Sequence, residues 1–361
     1  MSIISKIKAR ILGCWFKWFL VFRVQKNYKK ISIKRRLDRT QRKAVEEYYK
    51  KYCGHKVPLV WHKYMYSRTG NFDIRYIPTS LYRIELIGRM NKWDRANIFS
   101  DKNLSEMLLP NVKQPKTIIK NINGYYYYAG LPISEEKAID LCFNLENVII
   151  KPSLLEGGKG VRSLNVVNGV TDIDGKTIQV VFSNYKKDFL IQEKIVQHKE
   201  MERLNPSSVN TIRVLTYRIG MDILLLYAVV RIGKVGMVVD NESQGGISAK
   251  INRDGTIARF AYGAPGNEKV EVTDSGVVLE GYKIPYYTKV IEAAKQCHYQ
   301  LPDFNIVGWD FCVDQEGNPV LIEWNSNPDL SQTANGPAFG EYTDLILSDI
   351  YNHLNTRNGY W

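Results

Sequence analysis

The stretch VGWDFCVDQEGNPVLIEWNSNPDL, residues 307–330, constrains this chain more than any other. Two apolar runs flank Glu316-Gly317, a two-residue turn signal that predicts a β-hairpin. With that turn, Gly308 stands opposite Asn325 and Asp310 opposite Glu323. Strand period puts Glu323 and Asn325 on one face. Like charges placed directly opposite each other cost a sheet roughly 0.2–1 kcal/mol, so the pattern calls for a cation between them. Three oxygen donors without His or Cys favour Mg²⁺ or Mn²⁺ over zinc. A three-residue turn would instead send Asp310 and Glu323 to opposite faces. The competing reading, two acids on a solvated surface, fits poorly with Trp309, Phe311, Leu321, Ile322 and Trp324 around them.

A second stretch, KPSLLEGGKG at 151–160, follows the apolar run NVII. It resembles a phosphate-gripping loop but matches neither the P-loop nor GxGxxG. Mg²⁺ usually takes one or two carboxylates and completes its shell with phosphate oxygens. The hairpin and the lysine-led glycine loop are therefore readable as two halves of one site.

The rest of the chain excludes several classes. Its five cysteines occur singly and its five histidines lack HExxH spacing, so neither a disulfide framework nor a His/Cys zinc site is indicated, and a reducing compartment is expected. Charge is lopsided. Residues 1–50 carry 15 Lys and Arg against 3 Asp and Glu, while the remainder carries 35 against 34. A nearly neutral body thus bears a basic arm suited to an anionic surface. Within the arm, Ile4, Ile7, Ile11, Trp15, Trp18 and Phe22 follow helical spacing, with Lys6, Arg10, Gly13 and Lys17 opposite. Lys17 breaks the apolar run short of the ~20 residues of a spanning helix, and no signal-peptide cleavage pattern follows. Two readings stay open: a helix lying on an anionic leaflet at the cytoplasmic membrane face, or one packed on the body. Nucleic acid lacks a supporting motif.

Residues 27–52 read as a continuing basic helix. Asn123-Gly124 predicts a hairpin inside KTIIKNINGYYYYAG, and Ser134 caps a predicted helix at 134–145. Further strands are expected at NTIRVLTYRI, DILLLYAVVRIG and GTIARFAY, with helices at YYTKVIEAAKQCHYQL and near 341–354. Hairpins mixed with helices imply an α+β fold in place of a doubly wound parallel sheet.

Six ordered segments make the chain resemble the ATP-grasp superfamily, and most of all its sugar-transfer-associated group. They are DKNLSEMLLPNVKQP, VIIKPSLLEGGKGV, LIQEKIVQH, SSVNTIRVLTYR, ESQGGIS and GWDFCVDQEGNPVLIEWNSNP. The resemblance implies an ATP-grasp fold, with ATP clamped between two α+β subdomains. It divides the chain into a basic helical arm (1–52), an N-terminal subdomain (53–115), a small subdomain with the glycine loop (116–195) and a large one with the metal site (196–361). It also implies roles. Lys151 and Lys102 would contact phosphates, and Gly157, Gly158 and Gly160 would let backbone N–H groups approach them. Lys159 is either a mobile phosphate cation or a solvated loop lysine. Glu193 would hold the adenine amino group, Val196 would supply backbone contacts, and Glu200 would accept from ribose. Asp310, Glu323 and Asn325 would hold Mg²⁺ or Mn²⁺. Many relatives carry an arginine two residues before the first metal aspartate, where this chain has Gly308. Arg213 is the expected substitute, with Arg231 second; the alternative for Arg213 is a structural ion pair. ESQGGIS is either a loop over the acceptor side or an ordinary turn.

The implied activity is an ATP-dependent carboxylate–amine ligation through an acyl-phosphate. The expected partners are a small-molecule or glycan carboxylate, an amine and an anionic membrane, in surface-polysaccharide synthesis. A hydroxyl-directed kinase and a non-catalytic nucleotide-binding protein are the alternatives.

Overall fold

The computed structural model describes residues 3–237, 245–266 and 269–352, with side chains from residue 13 onward, Asn97 excepted. Glu242 to Gln244 of ESQGGIS lie outside the described residues. Three helices lead in: α1 (Ile3–Lys29), α2 (Arg39–Cys53) and α3 (Val60–Thr69). The continuous helix expected over 27–52 is interrupted by an irregular link at 30–38. Asp38 ends the link with a capping box, accepting from the Gln41 N–H at 2.8 Å while Gln41 accepts from its own N–H.

Seven strands form the first sheet: β1 (Thr117–Ile122), β2 (Tyr125–Tyr128), β3 (Leu131–Ile133), β4 (Leu145–Pro152), β5 (Arg162–Val167), β6 (Val170–Thr171) and β7 (Phe189–Glu193). Their order is β3-β2-β1-β7-β4-β5-β6, antiparallel throughout. Asn123-Gly124 makes the β1–β2 turn as expected, and Ser134 caps the helix Glu135–Leu141. That helix and Ile178–Tyr185 contribute to a core that includes Ile119, Ile150, Phe182 and Phe189.

Six strands form the second sheet: β8 (Thr211–Ile219), β9 (Asp222–Ile232), β10 (Ile247–Ile251), β11 (Ile257–Tyr262), β12 (Ile306–Val313) and β13 (Pro319–Asn325), ordered β11-β10-β9-β8-β12-β13 and again antiparallel. Every residue of β12 is buried. On one face Val307, Trp309 and Phe311 pack with the helix Tyr287–Tyr299; on the other, Ile306 and Leu215 pack with α2 and the helix Thr343–Asn352. Three buried polar side chains pair across this core: Trp309 Nε1 donates to Thr216 Oγ1 at 2.8 Å, and His298 bonds Thr216 at 2.7 Å and the Phe304 carbonyl at 2.9 Å. Two antiparallel sheets with helices against them bear out the α+β expectation.

The decisive hairpin keeps its outcome by a different route. Asp314 pairs with Asn318, so the turn holds three residues, 315–317, with Gly317 at φ +80° beneath the Tyr286 ring. From there the ladder runs Val313↔Pro319, Cys312↔Val320 and Phe311↔Leu321, one step away from the expected register. Ile322 then forms a β-bulge. Beyond it the pairs are Asp310↔Glu323, Trp309↔Trp324 and Gly308↔Asn325. The bulge lets Leu321 and Trp324 both enter the core while Glu323 turns to the side of Asp310.

Candidate functional site

A cleft, open at its mouth, lies between the two sheets, the kind of concave position that small-molecule sites favour. The first sheet lines it with Ile149, Lys151, Gln192 and Glu193, and the second with Thr211, Arg231, Asp310, Ile322 and Glu323. Pro115, Ile195, Val209 and the glycine loop complete its walls. Aliphatic surface occupies one part and charge the other, a division suited to a flat ring joined to a polyanion.

Register explains the charged end. On β12, Asp310 pairs with Arg213 of β8 on one side and with Glu323 of β13 on the other. Arg213 donates to both carboxylate oxygens of Asp310, from Nε at 2.5 Å and Nη2 at 2.6 Å. Arg231 Nη1 stands 3.6 Å from the same carboxylate, and Asn325 Nδ2 3.5 Å. Burial alone would raise the Asp310 carboxyl, but the two guanidinium groups outweigh it and hold it below its ordinary value. Both readings of Arg213 therefore meet in one contact: its ion-pair partner is Asp310, the acid expected to hold the metal.

Gly308 acquires a steric reason. A Cβ there would sit 2.7 Å from Pro328 Cβ and 3.4 Å from Arg213 Nη1. No side chain fits at 308, and the guanidinium arriving from β8 fills the adjoining space. A cation is thus supplied from the neighbouring strand.

The opposite wall holds Lys151, 8% exposed near the end of β4. Burial pushes its amine down to about 8; Glu323 opposes that shift and Lys102 adds to it. No carboxylate among the described residues comes within ion-pair distance of it. A buried, incompletely compensated ammonium is the expected mark of an anion site. Lys102 Nζ donates to the Leu155 carbonyl at 2.8 Å and stands 3.6 Å from Glu323 Oε2. It ties the glycine loop to the acidic pair across the cleft, a role that its place in the sequence did not disclose. In the loop, Gly157, Gly158 and Gly160 all take positive φ. At Gly160 a Cβ would also meet Pro152 at 2.9 Å.

Other expected residues lie elsewhere. Gly158 lines the cleft, but Lys159 is exposed and does not. Val196 is 60% exposed and outside the lining, where its neighbour Ile195 stands instead. Glu200 is also outside, bonded by Tyr282 at 2.9 Å and Arg203 at 3.0 Å. Glu193 reaches the cleft, with its carboxylate 2.8 Å from Lys116. Ile149, Val209, Thr211 and Ile322 were not anticipated; the bulge that delivers Ile322 had no sequence signal beyond its neighbours' polarity.

The donor set fits Mg²⁺ or Mn²⁺: two carboxylates opposed across a ladder, an amide beside them, no nitrogen or sulfur ligand. Arg213 uses one acceptor position on each oxygen of Asp310, and a carboxylate has roughly four. Four cations, Lys102, Lys151, Arg213 and Arg231, surround two carboxylates. The excess positive charge suits a polyphosphate.

No curated protein matches the chain. Among solved structures, D-alanine–D-alanine ligase from Bacillus anthracis superposes with a TM-score of 0.41 at 14% identity, over 73% of this chain and 70% of that one. VanG D-Ala:D-Ser ligase from Enterococcus faecalis gives 0.41 at 14%, over 70% and 61%. L-amino acid ligase from Bacillus licheniformis gives 0.35 at 10%, over 65% and 41%. The chain thus spans less than two thirds of the latter two. The family match is far more extensive: residues 81–344, from the segment preceding the first sheet to the last helix, fit the sugar-transfer associated ATP-grasp family. With a match over that span, the chain, folded as two antiparallel sheets with a cleft between them, belongs to the sugar-transfer associated ATP-grasp family.

Proposed function

We propose that the protein is an ATP-dependent carboxylate–amine ligase that joins an amine to a uronic acid or similar carboxylate in surface-polysaccharide synthesis. The observation that carries this reading is the buried Lys151 facing the Asp310–Glu323 pair across the cleft. The aliphatic walls Ile149, Ile195, Val209 and Ile322 would take the adenine, and Lys151, Lys102 and the loop N–H groups the phosphates. Asp310, Glu323 and Asn325 would hold Mg²⁺, which supplies charge neutralisation at the transferring phosphoryl group. The substrate carboxylate attacks the γ-phosphorus, the bond to the β-bridging oxygen breaks, and ADP leaves with that electron pair. Arg231, in the cleft lining, would steady the acyl-phosphate, with Arg213 behind it on Asp310. The amine then attacks the acyl carbon, loses a proton and expels inorganic phosphate. No Ser, Cys or His lines the cleft among the described residues, in keeping with direct transfer between substrates, where the protein supplies position and charge.

The test is ADP and phosphate release across a panel of uronic acids and amino acids, with hydroxylamine added to trap an acyl-phosphate. Release that needs both a carboxylate and an amine, with a hydroxamate on trapping, is expected. Phosphate retained on the product would make the protein a kinase. ATP binding without turnover on any acceptor would make it a non-catalytic nucleotide binder.

A further inference from the structure

Helix α1 presents two faces with opposite fates. At ~100° per residue, Leu20 and Val24 share one side, 5% and 2% exposed, packed in a cluster with Trp61, Tyr64 and Met65 of α3. Trp15, Trp18, Phe19 and Phe22 fall within an arc of about 100° on the other side and are 61%, 63%, 40% and 51% exposed. Trp15 stacks on Phe19 with ring centroids 5.9 Å apart, and Trp18 on Phe22 at 5.5 Å, so the aromatics form a continuous ladder. The charges divide between the two sides. Lys17, opposite the aromatics, is partly covered on the packed side. The exposed Lys26 and Lys29 lie instead on the aromatic side, one to two turns on. The link that follows exposes Ile33, at 70%, among Lys30, Lys34, Arg35 and Arg36.

We propose that this aromatic ladder and its basic continuation dock the protein on an anionic lipid surface, with α1 lying in the interface. Its packed face prevents the ladder from turning inward without breaking the contacts of Leu20 and Val24. No described helix is long and apolar enough to cross a membrane, so the ladder enters to interfacial depth only. Trp and Phe beside Lys are the side chains that combine interfacial burial with attraction to anionic headgroups. A second copy of the chain is a poor occupant, because it would bring two arms, each with 15 basic against 3 acidic residues in its first 50, into like-charge contact. This proposal stands apart from the ligase reading: either can fail alone.

The experiment is co-sedimentation of the full chain with vesicles of neutral phosphatidylcholine, and with vesicles of about one-third phosphatidylglycerol. Binding to the anionic vesicles only is expected, with a blue shift of tryptophan emission and quenching by bromine-labelled acyl chains. Trp15→Ala/Trp18→Ala/Phe22→Ala should weaken binding more than about tenfold, and each of Lys26→Gln and Lys29→Gln about fivefold. Circular dichroism of the variants checks that the fold is retained. Absence of binding to anionic vesicles, or unchanged binding by the folded triple variant, overturns the proposal. So does a wild-type dimer that the triple variant dissolves, which would assign the ladder to a second copy.

Discussion

The two walls of the cleft solve the same electrostatic problem in different ways. On the second sheet, charge is built in: Asp310 and Arg213 are 3% and 4% exposed, interlocked on adjacent strands of a sheet buried on both faces. On the first, the glycine loop offers backbone, is exposed at Leu154 and Leu155, and is tethered by Lys102 to the Leu155 carbonyl and by Tyr185 OH to the Gly160 carbonyl at 2.5 Å. The difference teaches a division of labour. The rigid wall sets where charge sits and cannot lose its buried pair, Asp310 and Arg213, without structural damage, whereas the loop wall can lose grip on a ligand at little structural cost.

The largest test of that contrast separates two acids of the same wall. Asp310→Asn should abolish turnover and also cost about 3–5 kcal/mol in urea unfolding, because it strands a buried arginine. Glu323→Gln should reduce kcat by roughly 10²–10³-fold with an unchanged unfolding midpoint, since Glu323 stays partly exposed. Equal stability of the two variants would break the contrast. Lys151→Met sharpens it from the other side. We expect ATP affinity by calorimetry to fall about 100-fold with stability unchanged or raised, because a buried ammonium without an ion-pair partner costs desolvation energy. A large loss of stability would reassign Lys151 to structural work.

Acid should act unevenly on the two sheets. His62 and His298 are buried and their pKa values fall to about 4, mainly through burial. Folding therefore disfavours their protonation, so their contribution is complete above about 6.5 and is lost as pH falls toward 4. At pH 5 each should cost about 2 kcal/mol. Both pack outside the first sheet, whose strands contain no histidine, so hydrogen exchange should quicken first around β8 and β12. The smallest effect belongs to the loop. Gly160→Ala should raise KM for ATP about tenfold while costing about 1–2 kcal/mol in unfolding, the usual cost of a Cβ at positive φ.

Much of this was readable in the chain because it depends on local chemistry. The lysine-led loop and the Asn123-Gly124 turn each follow from short-range pattern, whereas the acidic pair was reached through a two-residue turn that the structure replaces with a three-residue turn and a bulge. The bulge at Ile322 was hidden because its cause is distant: Leu321 and Trp324 must both reach a core shared with the helix Tyr287–Tyr299. Val196 and Glu200 missed the cleft for a related reason, since linear offset from Glu193 does not say which way the chain turns after β7. The aliphatic walls were also illegible, because Ile149 and Val209 look like any other core residues until two sheets are set face to face. On α1 the spacing was correct, but which stripe meets the body is decided by Trp61, Tyr64 and Met65 of a different helix.

The bulge carries one last consequence. A strand interior ordinarily tolerates neither insertion nor deletion, because every side chain beyond the change is inverted. Ile322 is exempt: it has no partner in the ladder, so removing it would leave Asp310 opposite Glu323 and Leu321 opposite Phe311. The cleft would simply lose one aliphatic wall. At this single position the pocket can be resized by a whole residue while the fold and the charged centre keep their places.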